Sequence, residues 1–407
     1  MKTTLLPLAF GLALVLGACG GSSPSGGKTL ADCPEVLTVE NTSSGPVGVL
    51  HIDRVKDTLD VPLSRLLDDF RLVKLDNRDE ALTKGYPLMA FGGYFIIGGG
   101  MNEPCRLFDK DGRYLCTIGN TGQGPGEYTF IYDAQLDEDN QRIYLMPWNT
   151  KNLLVYNMQG EYQRPIPLPT LVPKGVFTVD TRQQTVTVGM LPFNNIEGAS
   201  VVWQQDFEGN VLHRVDAAPY SVMPDFSNEI ANTDNVPGVF DFTIQYWEVK
   251  EDTLFHYQPE QKRFTPMLTL QKPGENMIHS YLELPDHYLM DVILQLQQRE
   301  TDHSIQTFPS RRVCVLMDKH TRKGAFARFY NDLIGLSATI DAFFFLKKGH
   351  FAYAIDPGDL LLQVEECLAS GKTYPETRAR LEQLKASINP DDNTYLFVGK
   401  IKQGAKL

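Results

Sequence analysis

Three observations predict an all-β fold, a six-bladed β-propeller with four-stranded antiparallel blades and a small helical insertion in the last blade. A strand–turn–strand pattern recurs with a period near ~48 residues, the spacing of propeller blades. The 33 glycines and 25 prolines are spread along the whole chain, as many short strands joined by turns require. The final repeat is one strand short, and a spare strand stands ahead of the first.

The repeating turn is clearest in Leu107–Tyr114 (LFDKDGRY), and Val155–Tyr162 (VYNMQGEY) and Gln205–Val211 (QDFEGNV) repeat it. Asp or Asn opens each turn and Gly takes the positive-φ position. Gly112 to Gly160 is 48 residues and Gly160 to Gly209 is 49. His256–Phe264 is a fourth copy without the glycine, and Leu316–Gly324 a fifth with a longer loop. A sandwich shows turns every ~8–12 residues but lacks this longer period.

Five units start near Tyr86, Phe130, Gly175, Val239 and Tyr281, and a sixth near Leu336. Asp359–Leu368 and Pro375–Ile388 interrupt the sixth with helical spacing, apolar at Leu361, Val364, Leu368, Leu381 and Leu384. Thr394–Lys400 resumes as a strand. If Asp69–Leu75 pairs with it, the ring closes and no sheet edge stays open.

The chain begins with an export signal. Lys2 gives a positive start, and Leu5–Leu16 is apolar but too short to span a bilayer, which takes ~20 residues. It ends in Leu16-Gly17-Ala18-Cys19, which looks like the lipobox of bacterial lipoproteins. That reading makes Met1–Ala18 a signal peptide and Cys19 the lipidated first residue of the mature chain. Cys19–Lys56 is then the lipidated N-terminus and tether, flexible at Ser22–Gly27 (SSPSGG). Asp57–Leu407 is the propeller. The expected location is the cell envelope, anchored by lipid to the outer membrane and facing the periplasm, because Gly20–Ser23 has no acidic run.

The net charge of −12 and the lack of any long Lys/Arg run argue against nucleic acid as partner. Six cysteines, with Cys19 lipidated, leave an odd five. Counting outward from the Lys110-Asp111 turn puts Cys105 opposite Cys116, in a compartment that permits a disulfide. Two buried free thiols are the equal alternative.

Thr117–Tyr128 (TIGNTGQGPGEY), following directly on the first repeated turn, resembles the signature of six-bladed β-propeller lipoproteins of the Bacteroidota, relatives of NHL-type propellers. Tyr330–Gly335 (YNDLIG) and Asn389-Pro390 with Leu396–Val398 resemble that family's later landmarks. The resemblance spans roughly Asp57–Lys402 and implies the fold and a lipid anchor, with no settled activity. The Cys105/Cys116 pair and the long Ala217–Pro237 connection depart from it.

No catalytic set, metal site or cofactor is read from the residues. Gly122–Tyr128 lacks the Lys-Ser/Thr of a phosphate loop. The histidines form no H-E-x-x-H, and no G-x-S-x-G elbow occurs. Asp137–Asn140 has calcium-type residues without the EF-hand spacing. Connections that cross one face of a propeller to its axis are where ligand residues are expected. On them lie Glu127 and Tyr128; Asp225, Asn228, Asp234 and Asn235; His279 and His287; and Asn331 and Asp332. Glu127, Tyr128, Asn331 and Asp332 are expected nearest the centre; turn capping by Glu127 and Asp332 is the competing reading. Two functions follow: a non-catalytic binding or scaffolding module for a glycan, peptide or protein partner, or a metal-dependent lactonase- or lyase-type enzyme with its site in the channel. The missing ligand set favours the first.

Overall fold

A computed structural model describes residues 28–83, 87–90, 93–245, 253–271, 278–301, 304–335, 339–340, 346–370 and 375–407. Cys19 and the Ser22–Gly27 stretch lie outside the described residues. The described chain forms a six-bladed propeller, as its turn period predicts. Blades 1 to 3 are plain four-stranded meanders, beginning at Pro87–Ala90, Ile131–Asp137 and Gly175–Asp180. Blades 4 and 5 begin at Glu229–Ala231 and Ile278–Glu283, and blade 6 at Leu346–Lys347.

The repeated turn works by one device. Asp109 Oδ1 accepts the amides of Asp111 and Arg113, both at 2.9 Å. Asn157 does the same for Gln159 and Glu161, and Asp206 for Glu208 and Asn210. Gly112 and Gly160 then sit at φ +82° and +79°. A Cβ on Gly112 would lie 2.2 Å from the Lys74 carbonyl, and one on Gly160 2.0 Å from that of Thr117. Both carbonyls belong to the outer strand of the preceding blade. The glycine therefore serves turn and blade contact together.

Apolar residues alternate along the strands and face the neighbouring blades. Each pair of adjacent blades encloses its own cluster. Blades 1 and 2 share Ile96, Leu107, Ile118, Ala134, Ile143 and Leu145. Blades 6 and 1 share Val73, Phe95, Phe108, Leu396 and Val398. Each fully buried aliphatic or aromatic side chain there contributes roughly 1.5–3 kcal/mol of burial free energy.

The N-terminal segment wraps three blades from outside. β1 (Leu37–Thr42) and β2 (Gly45–Leu50) form a hairpin, and β2 adds in parallel to Arg263–Leu270 at the edge of blade 4. β3 (Thr58–Pro62) adds in parallel to Gly324–Tyr330 of blade 5. β4 (Leu67–Lys74) pairs antiparallel with Tyr395–Ile401, Val73 opposite Leu396, and supplies the missing strand of blade 6. Closure by this strand is as expected. The packed body begins earlier than Asp57, however: residues 28–56 are built onto blades 4 and 5 rather than left as tether, because Leu37, Val47, Val49 and Leu50 bury apolar faces there.

The insertion in blade 6 is a pair of helices, α1 (Pro357–Ala369) and α2 (Pro375–Ser387). Asp356 caps α1 by accepting the Gly358 amide at 2.7 Å, and Pro357 stands at its first position. Leu360, Val364, Leu381 and Leu384 bury against the cluster between blades 5 and 6. Among the described residues no helix is long and apolar enough to cross a membrane.

The first hairpin departs from the counted register. Cys105 lies opposite Ile118 and Leu107 opposite Cys116, with a bulge between Leu107 and Phe108. The extra residue shifts one strand, so the two cysteines are not directly opposed. Both thiols are free.

Candidate functional site

Strands alternate in direction, so each blade has two distinct ends. One end carries the first–second and third–fourth turns and is termed the hairpin face. The other carries the second–third turns and the interblade connections, the connection face.

The polar groups at the axis gather on strands and turns of blades 2, 4 and 6. Asp133 lies on the inner strand of blade 2 and is fully buried. Its Oδ2 accepts the Phe177 amide of blade 3 at 3.0 Å, and its Oδ1 lies 2.7 Å from Lys347 Nζ of blade 6. Two residues on, Gln135 exchanges two hydrogen bonds with the Val179 backbone, at 2.8 and 3.0 Å. The period of two along a strand lets these side chains join successive inner strands.

Lys348, in the turn after Lys347, has φ +49° and donates its amide to the Thr233 carbonyl at 2.7 Å. Its Nζ lies 3.4 Å from Gln135 Oε1, 3.9 Å from Asp234 Oδ2 and 5.6 Å over the Phe177 ring. The facing turn of blade 4 is held by Asp241, which accepts the amides of Thr233 and Asp234 and the Thr233 hydroxyl. Asn235 joins three blades. Its Nδ2 donates to the carbonyls of Glu283 and Leu346, and its Oδ1 accepts the Gly349 amide at 2.9 Å.

Electrostatics follow from this burial. Burial raises the Asp234 carboxyl to about 8, against the pull of Lys348. Burial likewise raises Asp241 and lowers Lys348. Asp234 Oδ1 has no hydrogen-bond partner, and neither does the nearby Asn232 Oδ1. Beside this group, Glu283 receives Lys319 Nζ at 2.5 Å and His256 Nε2. Burial opposes its ionisation, but the His256 and Lys319 contacts outweigh that and hold it below the usual range.

Of this network Asp234, Asn235 and Lys348 also line an open cleft of about 480 Å³ on the hairpin face, together with His350, Lys400 and Gln403 among others. His350 Nδ1 is 2.9 Å from the Lys348 carbonyl, so it carries the hydrogen. Burial keeps the ring neutral, leaving Nε2 as an acceptor. The cleft thus offers an acceptor at His350, an ammonium at Lys400 and an amide at Gln403, over the buried Asp234 carboxyl.

The residues expected at the site lie elsewhere. Glu127 Oε2 accepts the Gly124 amide at 2.8 Å, and Tyr128 is buried, its hydroxyl bridging the Cys105 amide and the Ile118 carbonyl. Glu127 therefore closes a turn within its own connection, and Tyr128 ties that connection to blade 1. Asn331 Oδ1 accepts the Leu333 amide, and Asp332 Oδ1 accepts the Ser64 amide at 3.0 Å, docking the N-terminal segment. The structure does not bring these four together: their polar atoms are engaged with backbone at two separate junctions. His279 and His287 are not in an interblade connection but on the first and second strands of blade 5. His279 meets the Tyr281 hydroxyl at 2.8 Å, and His287 is buried with its ring driven toward neutrality by desolvation. The long connection before blade 4 is split by the short strand Glu229–Ala231. Asp225 and Asn228 stay on the connection face, while Asp234 and Asn235 pass to the hairpin face. Sequence reasoning missed Asp133, Lys347 and Lys348; two adjacent lysines inside the apolar run Phe343–Ile355 were the available signal.

The ring defines the class, a six-bladed propeller, here with a polar cleft on its hairpin face. The chain belongs to the family described as Domain of unknown function (DUF4934), which matches residues 48–400. No curated protein matches it. A protein of Bacteroides fragilis NCTC 9343 described as exported shares the fold, with TM-score 0.52 and 14% identity, over 85% of this chain and 100% of that one. A member of the duf4221 family from Bacteroides vulgatus atcc 8482 aligns at TM-score 0.42 and 10% identity, over 83% and 98%. An oligogalacturonate lyase in complex with manganese aligns at TM-score 0.30 and 10% identity, over 91% and 97%.

Proposed function

We propose that this protein is a lipid-anchored binding module of the cell envelope. Cys19 carries the lipid, the outer membrane holds it, and the body faces the periplasm. Its ligand, a glycan, a peptide or a segment of a protein partner, is taken in the cleft on the hairpin face. The observation that carries this reading is the cleft itself. Donors and acceptors converge there on a scaffold locked by Asn235, and Asp234 Oδ1 is left without a partner. The cleft is open rather than enclosing, a form that suits a ligand lying across it and held by a few polar groups. A metal-dependent lyase needs several converging ligands, and among the described residues no group of three His, Cys, Asp or Glu side chains is placed to hold a metal. The test is calorimetric titration of the mature protein with uronic-acid oligosaccharides, neutral oligosaccharides and tripeptides. Saturable heat from one of these classes supports the reading, and no heat from any of them contradicts it.

A further inference from the structure

We infer that the hairpin face, which carries the cleft, is turned toward the membrane surface. This rests on the lipid-anchor reading of Cys19. The first described residues enter the ring on that face, under blade 5. Leu30 donates its amide to the Leu407 carbonyl at 3.1 Å, and Lys323 Nζ donates to the Ala31 carbonyl. Gly324 donates to the Pro34 carbonyl at 3.0 Å, and Val36 to that of Arg322 at 2.9 Å. Lys319–Lys323 is the third–fourth turn of blade 5, a hairpin-face turn. The chain's last residues are tied to the same face: Gly404 donates to Asp286 Oδ2 at 2.9 Å, in the first–second turn of blade 5. Gln403, its neighbour, lines the cleft.

The length of chain between anchor and body limits how far the face can stand off. From Cys19 to Lys28 is nine residues, which reach ~30 Å at most. The connection face is a further strand length away, ~20 Å for six residues. A folded domain of ~100 residues has a radius of gyration of ~13 Å and would barely enter such a gap. The cleft's ligand is therefore a small molecule or a single extended chain. The connection face points outward, with exposed Trp148 and Phe226 rings 5.9 Å apart and the paired ends of the His287–Thr301 and Ser304–Asp318 strands.

Energy transfer to acceptor lipids in proteoliposomes tests the orientation with the full lipidated protein. Dyes are placed on the hairpin face through Glu208→Cys and His320→Cys, and on the connection face through Lys151→Cys and Gln383→Cys, all exposed positions. Two sites per face, on different blades, cancel tilt, and the unsubstituted protein gives the background from native thiols. Given the ~20 Å between faces, transfer should be at least about twofold stronger from Glu208→Cys and His320→Cys. Flotation of the wild-type protein and of Cys19→Ser is run in parallel. Wild type that fails to float, or Cys19→Ser that floats equally, removes the anchor reading and the orientation with it. Protein that floats through Cys19 yet gives equal or reversed transfer overturns the orientation alone.

Discussion

Lys347 of blade 6 reaches past blade 1 and holds Asp133 of blade 2 at 2.7 Å, with the carboxylate fully buried and the lysine side chain a quarter exposed. The same carboxylate accepts the amides of Ala134 and Phe177. One side chain thus ties three blades at the axis. Replacing Asp133 with Ala should deprive Lys347 and the buried amides of Ala134 and Phe177 of this acceptor. Loss of one member of a buried pair costs about 3–5 kcal/mol. Urea unfolding of Asp133→Ala measures it; a midpoint equal to wild type would show that the pair does not hold the ring.

The Asp234 carboxyl is raised from 3.8 to about 8, so the folded protein binds a proton that the unfolded chain has released across that window. A raised carboxyl makes stability fall as pH rises from about 4 to about 8, and level off above. Asp234→Asn removes this contribution. The variant should gain on wild type progressively as pH climbs through that window. Unfolding free energies of both proteins along a pH series test it, and a constant difference between them would contradict the assignment.

Deleting residues up to Leu75 removes β1 to β4. Blade 6 then loses its outer strand and the blade 6–blade 1 cluster loses Val73 and Leu75. The expected outcome is loss of the cooperative thermal transition followed by circular dichroism. Deletion only through Leu50 strips an added hairpin from blade 4 and should leave a cooperative but lower transition. A full truncation that melts like wild type would mean that the N-terminal strand does not close the ring.

This closure was legible in the sequence because both partners, Asp69–Leu75 and Thr394–Lys400, are strand-like and each was unpaired in its own repeat. The repeated turns were equally legible, since Asp109, Asn157 and Asp206 act within a few residues of themselves. The axial site was not. Asp133 and Lys347 are 214 residues apart, and no local pattern announces a pair across blades. The three-residue strand Glu229–Ala231 was hidden inside a long connection, which put Asp234 and Asn235 on the wrong face. The conspicuous Gly122–Tyr128 motif misled for a physical reason: its carboxylate and its tyrosine hydroxyl are engaged with backbone at the junction of blades 1 and 2.

The register of the first hairpin bears on the cysteines. Cys105 faces Ile118, and burial pushes its thiol up to about 12 and that of Cys116 to about 11. Thiols so raised react slowly while folded, because the thiolate is the reactive form. Alkylation should be slow in the native protein and complete at both sites after unfolding without reductant. Peptide mass spectrometry reads the result, and a Cys105–Cys116 bridged peptide would overturn the bulged register.

The cleft on the hairpin face is the proposed binding site. Lys400 lines it from an outward position on a blade 6 strand, paired only loosely, at 4.0 Å, with exposed Asp69. Lys400→Trp removes the ammonium and places a bulky, strand-compatible ring over part of the cleft, away from the core. The deciding measurement is the same calorimetric titration, with uronic-acid oligosaccharides, neutral oligosaccharides and tripeptides, on wild type and Lys400→Trp side by side. Saturable heat in the wild type that disappears in a variant of unchanged melting temperature is the predicted result. Heat that persists undiminished in Lys400→Trp would place the binding site elsewhere.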